Sequence, residues 1–332
     1  MSAPFLAADI GGTNARLALV RARDDGHVEL LEQRHYLCAA HPSLTAIVAD
    51  FLGGRSGIDA MAIGVAGVVH GDEVISRNVP WPIIPAQVRA LGVREVAAVN
   101  DFVAVAHAEQ CMDDATTTLL TPQAASPTPG PALVVGPGTG LGAALRVPVG
   151  ARTLVLPCEP QQVALAPGTE RELAVLALWK RGGMAHVGTG HAVSGPGLLH
   201  LYRALCALDG VEPRLASTDE VSHAAVRGVD AHAVEAVAMF CALLGSVIGD
   251  LAMITGATRV FIAGGVALKL RQALLEGGFA ARLVDKDVMR TVLEAVPVRL
   301  IEHPDLGVIG AAAWFLRRGE AASEPAAGTI RR

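Results

Sequence analysis

Asp9, Gly11, Gly12, Thr13 and Asn14 are the first residues whose types and spacing suggest chemistry. They lie in FLAADIGGTNARLALV, Phe5 to Val20, where one apolar run ends at Asp9 and a second begins at Ala15. Paired glycines let the backbone take positive φ and turn its N–H groups toward one point, a concave anion site to which Thr13 and Asn14 add side-chain donors. An aspartate beside phosphate is repelled unless a cation lies between them, and Mg²⁺ with its waters suits that place. The turn therefore suggests a nucleotide held as its metal complex. Asp and Gly-Gly between apolar runs is also ordinary hairpin chemistry, so the stretch alone leaves both readings open. A dinucleotide fingerprint or a P-loop would run from strand into helix, and a P-loop would end in Gly-Lys-Ser/Thr. Here the chain returns to an apolar strand, and no such lysine is present.

The pattern has an echo. ALVVGPGTGLGAAL, Ala132 to Leu145, again reads as strand, glycine turn and strand, with Gly138-Thr139-Gly140 answering Gly12-Thr13-Asn14. Two such turns imply two related halves, each offering a phosphate-facing loop, and favour the nucleotide reading over coincident hairpins.

Both turns need elements to hold them. Val28 to Ala39 continues the first hairpin into a meander, and Leu44, Ile47, Val48, Phe51 and Leu52 recur at helical spacing behind Ser43. AMAIGVAGVV, Ala60 to Val69, reads as a strand buried on both faces. Ser76 to Pro85, with three prolines and Trp81, is expected as loop or edge. Glu95 to Val99 reads as a strand ending in Asn100 and Asp101, with helical character following from Phe102 to Cys111. The Pro/Ser/Ala-rich stretch Thr121 to Pro131 marks a domain transition. Beyond it, helices are expected at Glu170 to Trp179, Gly195 to Leu208 with Ser194 as cap, and Ala231 to Ile254, where Ala242, Gly245 and Gly249 permit close packing. A strand at Arg259 to Ala263 runs into Gly264-Gly265 and a helix from about Leu268, a late strand covers Val296 to Ile301, and a last helix spans Val308 to Arg317.

Composition narrows the partner. At 332 residues, 52% hydrophobic and 18% charged, the chain is long enough for two domains and a large core. A net charge of -5 and 4% aromatics argue against a nucleic-acid surface and leave a small molecule as the ligand. Five cysteines, widely spaced and without a Cys-x-x-Cys pair, indicate neither a disulfide framework nor a zinc site. No leader and no uninterrupted apolar run of about 18 residues is evident, so no membrane partner and a cytoplasmic location are expected.

DIGGTNARLAL at Asp9, NDF at Asn100, GPGTGLG at Gly136, SGPGLLHLYRA at Ser194 and FIAGGV at Phe261 occur in this order. Together they resemble the bacterial glucokinase family, the branch without the zinc-binding cysteines of the repressor-related sugar kinases. The resemblance implies an α/β, two-domain, actin-like and hexokinase-like (ribonuclease H-like) fold. The expected division is a small domain of 1–112 plus about 302–318, a large domain of about 113–301 and a flexible tail at 319–332, with the active site in the cleft between the domains. It also implies transfer of phosphate from Mg-ATP to the 6-hydroxyl of glucose, in carbohydrate metabolism and glycolysis, by what is commonly a homodimer. Carried over by position, Asp9, Gly11, Gly12, Thr13 and Asn14 form one phosphate loop, with Asp9 holding Mg²⁺ through water. Gly138, Thr139 and Gly140 form the second, and Gly264 and Gly265 lie beside adenosine. Asp101 matches the catalytic base, which suits a sugar hydroxyl that must lose a proton as the phosphoryl group arrives. Asn100 can donate and accept beside it, although Asn-Asp before Phe102 is also a helix cap.

The sugar side departs from the family. Where the family has Leu-Pro-Gly-Glu-Gly-Gly-His, this chain has Leu156-Pro157-Cys158-Glu159-Pro160-Gln161-Gln162, so Glu159 is retained and Gln162 replaces a histidine. A second family glutamate falls on Gly190. Loss of one charge-assisted hydrogen bond, about 1.5 to 3 kcal/mol, weakens sugar binding by roughly ten- to a hundredfold. His186 or His191 could reach toward Gly190, and Asn78, near Trp81, is a further candidate sugar contact. Two readings follow: a glucokinase with weakened or altered sugar specificity, or a relative with little turnover that binds sugar or nucleotide as a regulatory protein.

Overall fold

The computed structural model describes residues 3–23, 27–70, 72–76, 79–108, 112, 114–122, 129–150 and 152–321. The chain divides into two compact units, Met1–Met112 with Pro148–Val155 and His303–Arg332, and Asp113–Val147 with Leu156–Glu302. The return of Pro148–Val155 to the first unit is a feature that the expected linear boundaries lack.

The first unit is built on a five-stranded sheet. Its strands are β1 (Phe5–Ile10), β2 (Asn14–Ala22), β3 (Val28–Leu37), β4 (Ala60–Val65) and, after the small hairpin of β5 (Val68–His70) and β6 (Glu73–Ile75), β7 (Glu95–Asn100). The order is β3-β2-β1-β4-β7. Contacts of β1 with β2 and β2 with β3 are antiparallel, and those of β1 with β4 and β4 with β7 are parallel. Alternation of side chains splits β1 between two cores. Leu6, Ala8 and Ile10 pack with Met61, Ile63 and with Ile47, Val48 and Phe51 of α1 (Leu44–Leu52). Phe5 and Ala7 face the opposite side, with Ala62, with Val103 and Ala104 of the helix that follows β7, and with Val308, Ala311 and Ala312 of the last helix. Asp9 has the parity of Phe5 and Ala7 and belongs to that second side.

Local chemistry sets the element ends. The Ser43 hydroxyl accepts from Ala46 N–H at 3.1 Å and caps α1. Within the expected loop, Pro85 starts a short helix, α2 (Pro85–Arg89), because proline at the first helical position gives up no needed N–H. The helix after β7, α3 (Asp101–Ala108), begins one residue earlier than expected.

The second unit repeats the plan. The second sheet consists of β8 (Thr117–Leu119), β9 (Ala132–Pro137), β10 (Leu141–Val149), β11 (Arg152–Cys158), β12 (Arg259–Ile262) and β13 (Val298–Ile301), in the order β11-β10-β9-β12-β13-β8. β9 is antiparallel to β10 and parallel to β12, and β12 is parallel to β13. This is the strand plan of the first sheet with β8 added at one edge, the repetition that the paired glycine turns predicted.

Helices α4 (Glu170–Arg181), α5 (Gly195–Leu208), α6 (Thr218–Val226), α7 (Ala231–Thr255), α8 (Gly265–Lys269), α9 (Arg271–Glu276), α10 (Phe279–Leu283) and α11 (Arg290–Glu294) complete the second unit, and α12 (Leu306–Ala321) ends the described chain. α7 is long and apolar enough to cross a membrane by length and composition, yet Phe240, Cys241, Leu244 and Ile248 are fully or almost fully enclosed in this unit's core. Its Gly245 and Gly249 sit against the α10 backbone: a Cβ at Gly245 would lie 3.2 Å from Leu283 N, and one at Gly249 3.3 Å from Leu283 C. The expected helix near Leu268 starts earlier, at Gly265, and α12 begins two residues before Val308.

Candidate active site

Parallel strands end together, and in the first unit that edge gathers the candidate residues. Ile10 of β1 pairs with Val65 of β4, and Val65 pairs with Asn100 of β7. Asp9 with the turn after it and Asn100 with Asp101 therefore occupy one carboxyl edge, the usual place for a ligand in such sheets. β4 separates them, two strand spacings or about 10 Å.

Asp9 is set by strand register. It pairs across the hairpin with Arg16, so both side chains project from the same face, and Arg16 Nη1 donates to Asp9 Oδ2 at 3.3 Å. The neighbouring position on β4 is Gly64, a residue without a side chain to intrude. The first turn of α12 covers the carboxylate: a Cβ placed on Gly307 would fall 2.9 Å from Asp9 Oδ1 and 2.5 Å from Oδ2. Burial pushes the Asp9 carboxyl above the usual carboxylate range, and the charge of and hydrogen bond from Arg16 pull it back only in part. Arg16 and Gly307 are absent from the sequence-based set. The symmetric placement of Asp9 and Arg16 about the turn is the signal that could have found the first.

The two glycine turns share one construction. Gly11 N–H donates to Asn14 O at 2.9 Å, and Gly138 N–H donates to Gly140 O at 2.8 Å. Both turns are therefore hairpin loops, and the N–H of the leading glycine closes the loop. Gly11 does not use the positive φ that the paired glycines of the first turn allow, and Gly138 and Gly140 do not take it either. A Cβ on Gly138 would meet nothing within 4 Å, whereas one on Gly11 would meet Asn14 O at 3.4 Å and one on Gly140 would strike Gln161 Oε1. Thr13, Asn14 and Thr139 are exposed and Gly12 is half-buried. The buried thiol of Cys38 and its backbone N–H brace the first loop, at 3.4 Å from Gly11 O and 2.9 Å from Thr13 O.

In the second unit the Gly138–Gly140 loop has two glycine neighbours. Gly195 N–H, at the start of α5, donates to Gly138 O at 2.7 Å. Gly264 takes φ 103°, and a Cβ there would also lie 2.9 Å from Pro137 O, so handedness and close approach both require glycine. Gly265 opens α8 and is exposed. The loop, the Ser194-capped α5 terminus and the Gly264-Gly265 pair form one glycine-lined edge.

Asn100 is the cap of α3. Its Oδ1 accepts from Phe102 N at 3.0 Å and Val103 N at 3.2 Å, while its Nδ2 donates to Gly67 O at 3.0 Å. The side chain is committed to backbone at both ends, which is the helix-cap alternative that the sequence left open. Asp101 stands in the first turn of α3, half-buried, with Oδ1 accepting from Phe102 N at 3.0 Å.

Among the sugar-side candidates, Glu159 and Gln162 are exposed and bracket a single 3-10 turn, Pro160–Gln162. Asn78 lies outside the described residues. Position 190 holds no vacancy for a histidine to fill, because a Cβ there would already lie 2.8 Å from the Cβ of Gln161. His186 is occupied with Gln162 O at 2.9 Å. His191 is half-buried in an aromatic stack, 4.6 Å from the Trp179 ring and 4.3 Å from His200, and burial pushes its pKa down. Trp81 is a core residue whose Nε1 donates to Cys38 O at 3.1 Å.

Comparison with known proteins agrees with this construction. The family profile described as Glucokinase matches residues 6–318. A glucokinase-like protein of Xylella fastidiosa (strain Temecula1) is 46% identical over 319 residues, covering 95% of each chain. The glucokinase of Zymomonas mobilis subsp. mobilis is 36% identical over 318 residues, covering 95% of this chain and 98% of its own. The crystal structure of a glucokinase from an Antarctic psychrotroph superposes with a TM-score of 0.83 at 31% identity, covering 94% of this chain and 98% of that one. The architecture is accordingly the two-unit hexokinase-like and actin-like one. With a matching profile, these relatives and duplicated sheets ending in glycine loops, the chain belongs to the glucokinase family.

Proposed function

We propose that this protein is an ATP-dependent hexose kinase that phosphorylates glucose on its 6-hydroxyl, with an altered sugar site. The observation that carries the reading is the placement of two carboxylates, Asp9 and Asp101, at the carboxyl edge of the parallel strands β1, β4 and β7, in a sheet whose first loop is repeated in the second unit. Asp101 has the role of general base: a carboxylate oxygen takes the proton of the attacking hydroxyl, which makes a poor nucleophile competent as phosphoryl transfer proceeds. Asn100 fixes the helix that carries Asp101 and so orients that base. The loops at Gly11–Asn14 and Gly138–Gly140 hold the phosphates, and Gly264-Gly265 lets the nucleotide approach the backbone. Glu159 and Gln162 contact the sugar.

Asp9 suits Mg²⁺. Its only ion pair among the described residues is a long one at 3.3 Å, and its side chain keeps 22% of its surface exposed. A lone, loosely paired carboxylate matches an ion held mainly by waters and phosphate oxygens. When bound there the ion would supply positive charge against the triphosphate. A cytoplasmic homodimer working in glycolysis completes the reading, supported by the family alone.

The test is sugar-dependent ADP release from Mg-ATP over glucose, mannose, fructose and amino sugars; no release at high concentration of any of them overturns it. One observation favours a second reading, a sugar- or nucleotide-binding regulatory protein with little turnover. The packing of Gln161 against Gly190 leaves no room for the family's glutamate. That protein would be stabilised by ligand without releasing ADP.

A further inference from the structure

Three glycines of the second unit make room for one residue, Gly140 and Gly190 for its side chain and Gly188 for its main chain. A Cβ on Gly190 would lie 2.8 Å from the Cβ of Gln161 and 3.3 Å from its Cα. One on Gly188 would strike the Gln161 carbonyl oxygen, and one on Gly140 would strike its Oε1. The Gln161 main chain is pinned from both sides. Thr189 Oγ1 donates to Pro160 O at 2.6 Å, Thr189 N–H donates to Val163 O at 2.8 Å, and His186 Nε2 lies 2.9 Å from Gln162 O. From this fixed turn the side chain passes Gly190 and ends at the Gly138–Gly140 loop. The residue is half-buried, and among the described residues no hydrogen bond engages its carboxamide.

A primary amide has two donors and an acceptor. Held in place with all of them unspent, beside an assigned phosphate loop and between Glu159 and Gln162, it is built for a ligand and not for the fold. We propose that Gln161 is a specificity-determining residue of the acceptor site, its carboxamide supplying the sugar hydroxyls with the polar contact that Gly190 cannot. The inference rests on the hexose-kinase reading and deepens it. Nε2 donates to one hydroxyl and Oε1 accepts from another, so the site favours sugars by hydroxyl pattern where a carboxylate would also favour a positively charged amino group.

The competing explanation is that Gln161 only fills space, and Gln161→Met separates the two, since methionine keeps the length and volume and loses the donors and acceptor. Calorimetric titration of the full chain with glucose, mannose and glucosamine, and separately with ADP, reads the difference without requiring turnover. Gln161→Met is expected to weaken binding of the preferred hexose about tenfold, the effect of one lost hydrogen bond, and to leave ADP affinity within twofold and Tm unchanged. Gln161→Glu is expected to shift preference toward glucosamine. Should Gln161→Met fail to fold, Gln161→Asn withdraws the amide from Gly140 by one methylene and is expected to give the same loss. Hexose binding by the wild type that is unchanged in the variant overturns this proposal alone. A wild type that binds none of the sugars overturns the kinase reading and the proposal with it.

Discussion

Gly307→Ala is a one-carbon test of how the candidate carboxylate is held. The new Cβ would lie 2.9 Å from Asp9 Oδ1 and 2.5 Å from Oδ2. Ordinary contact begins near 3.4 Å, so the carboxylate or the first turn of α12 must retreat by about 1 Å, an overpacking cost of about 1 to 3 kcal/mol. Against that stands the gain from replacing glycine in a helix, about 0.4 to 1 kcal/mol. Overpacking wins, and a net loss of about 1 to 2 kcal/mol in stability is expected. The larger effect is on chemistry, because displacing a group that organises the reaction by about 1 Å costs about a hundredfold in rate. Thermal unfolding and sugar-dependent ADP release, measured side by side, give both numbers. A variant as stable as the wild type, or more so, with turnover within twofold would refute the assigned closeness of Asp9 to α12 and its role together.

Other perturbations test separate parts of the structure. Glu172 is 4% exposed, takes Arg282 Nη1 at 2.7 Å and accepts from Gly168 N at 2.6 Å, so Arg282→Met leaves a buried charge without its cation and should cost about 3 to 5 kcal/mol in urea unfolding. A loss below about 1 kcal/mol would contradict the pairing. Hydrogen bonds from Arg171 and then His232 pull the Asp209 pKa down to about 2. A depressed carboxylate pKa contributes stability above the unfolded value, about 3.9, and that contribution fades as pH falls through the folded one. The Tm difference between wild type and Asp209→Asn should therefore hold above about pH 5 and shrink between about pH 4 and pH 2; a constant difference would count against the ion pair. Gly190→Glu should lower Tm by displacing Gln161, and Gln161→Gly in the same chain should restore it. Additive effects of the two changes would show that the positions do not share one space.

Much of the fold was legible because local signals agreed. Ser43 and Ser194 each cap the helix that follows, and the limits of α5 fall where the Ser-Gly-Pro-Gly start and the apolar spacing put them. The paired glycine loops revealed the duplicated sheet. What stayed hidden depends on register or on distant contacts. Arg16 reaches Asp9 only because β1 and β2 pair in one register, and Gly307 covers it from nearly 300 residues away. Asn100 looked like a sugar contact or a cap, and only the hydrogen bonds to Phe102, Val103 and Gly67 decide that it caps. Position 190 read as a missing contact because sequence carries no volume, whereas Gln161 occupies the space from a turn about 30 residues earlier. The positive φ that the paired glycines of the first turn allow goes unused at Gly11, because a residue type shows what the backbone is free to do and not which conformation the hairpin selects.

The most direct measurement is coupled ADP release from Mg-ATP with a panel of hexoses, run on the wild type and on Asp101→Asn at equal thermal stability. If Asp101 takes the hydroxyl proton, the wild type turns over at least one sugar and the variant loses about a hundredfold or more of that rate, in line with removal of a general base, with nucleotide binding retained. Turnover by Asp101→Asn within a few-fold of the wild type would contradict the account.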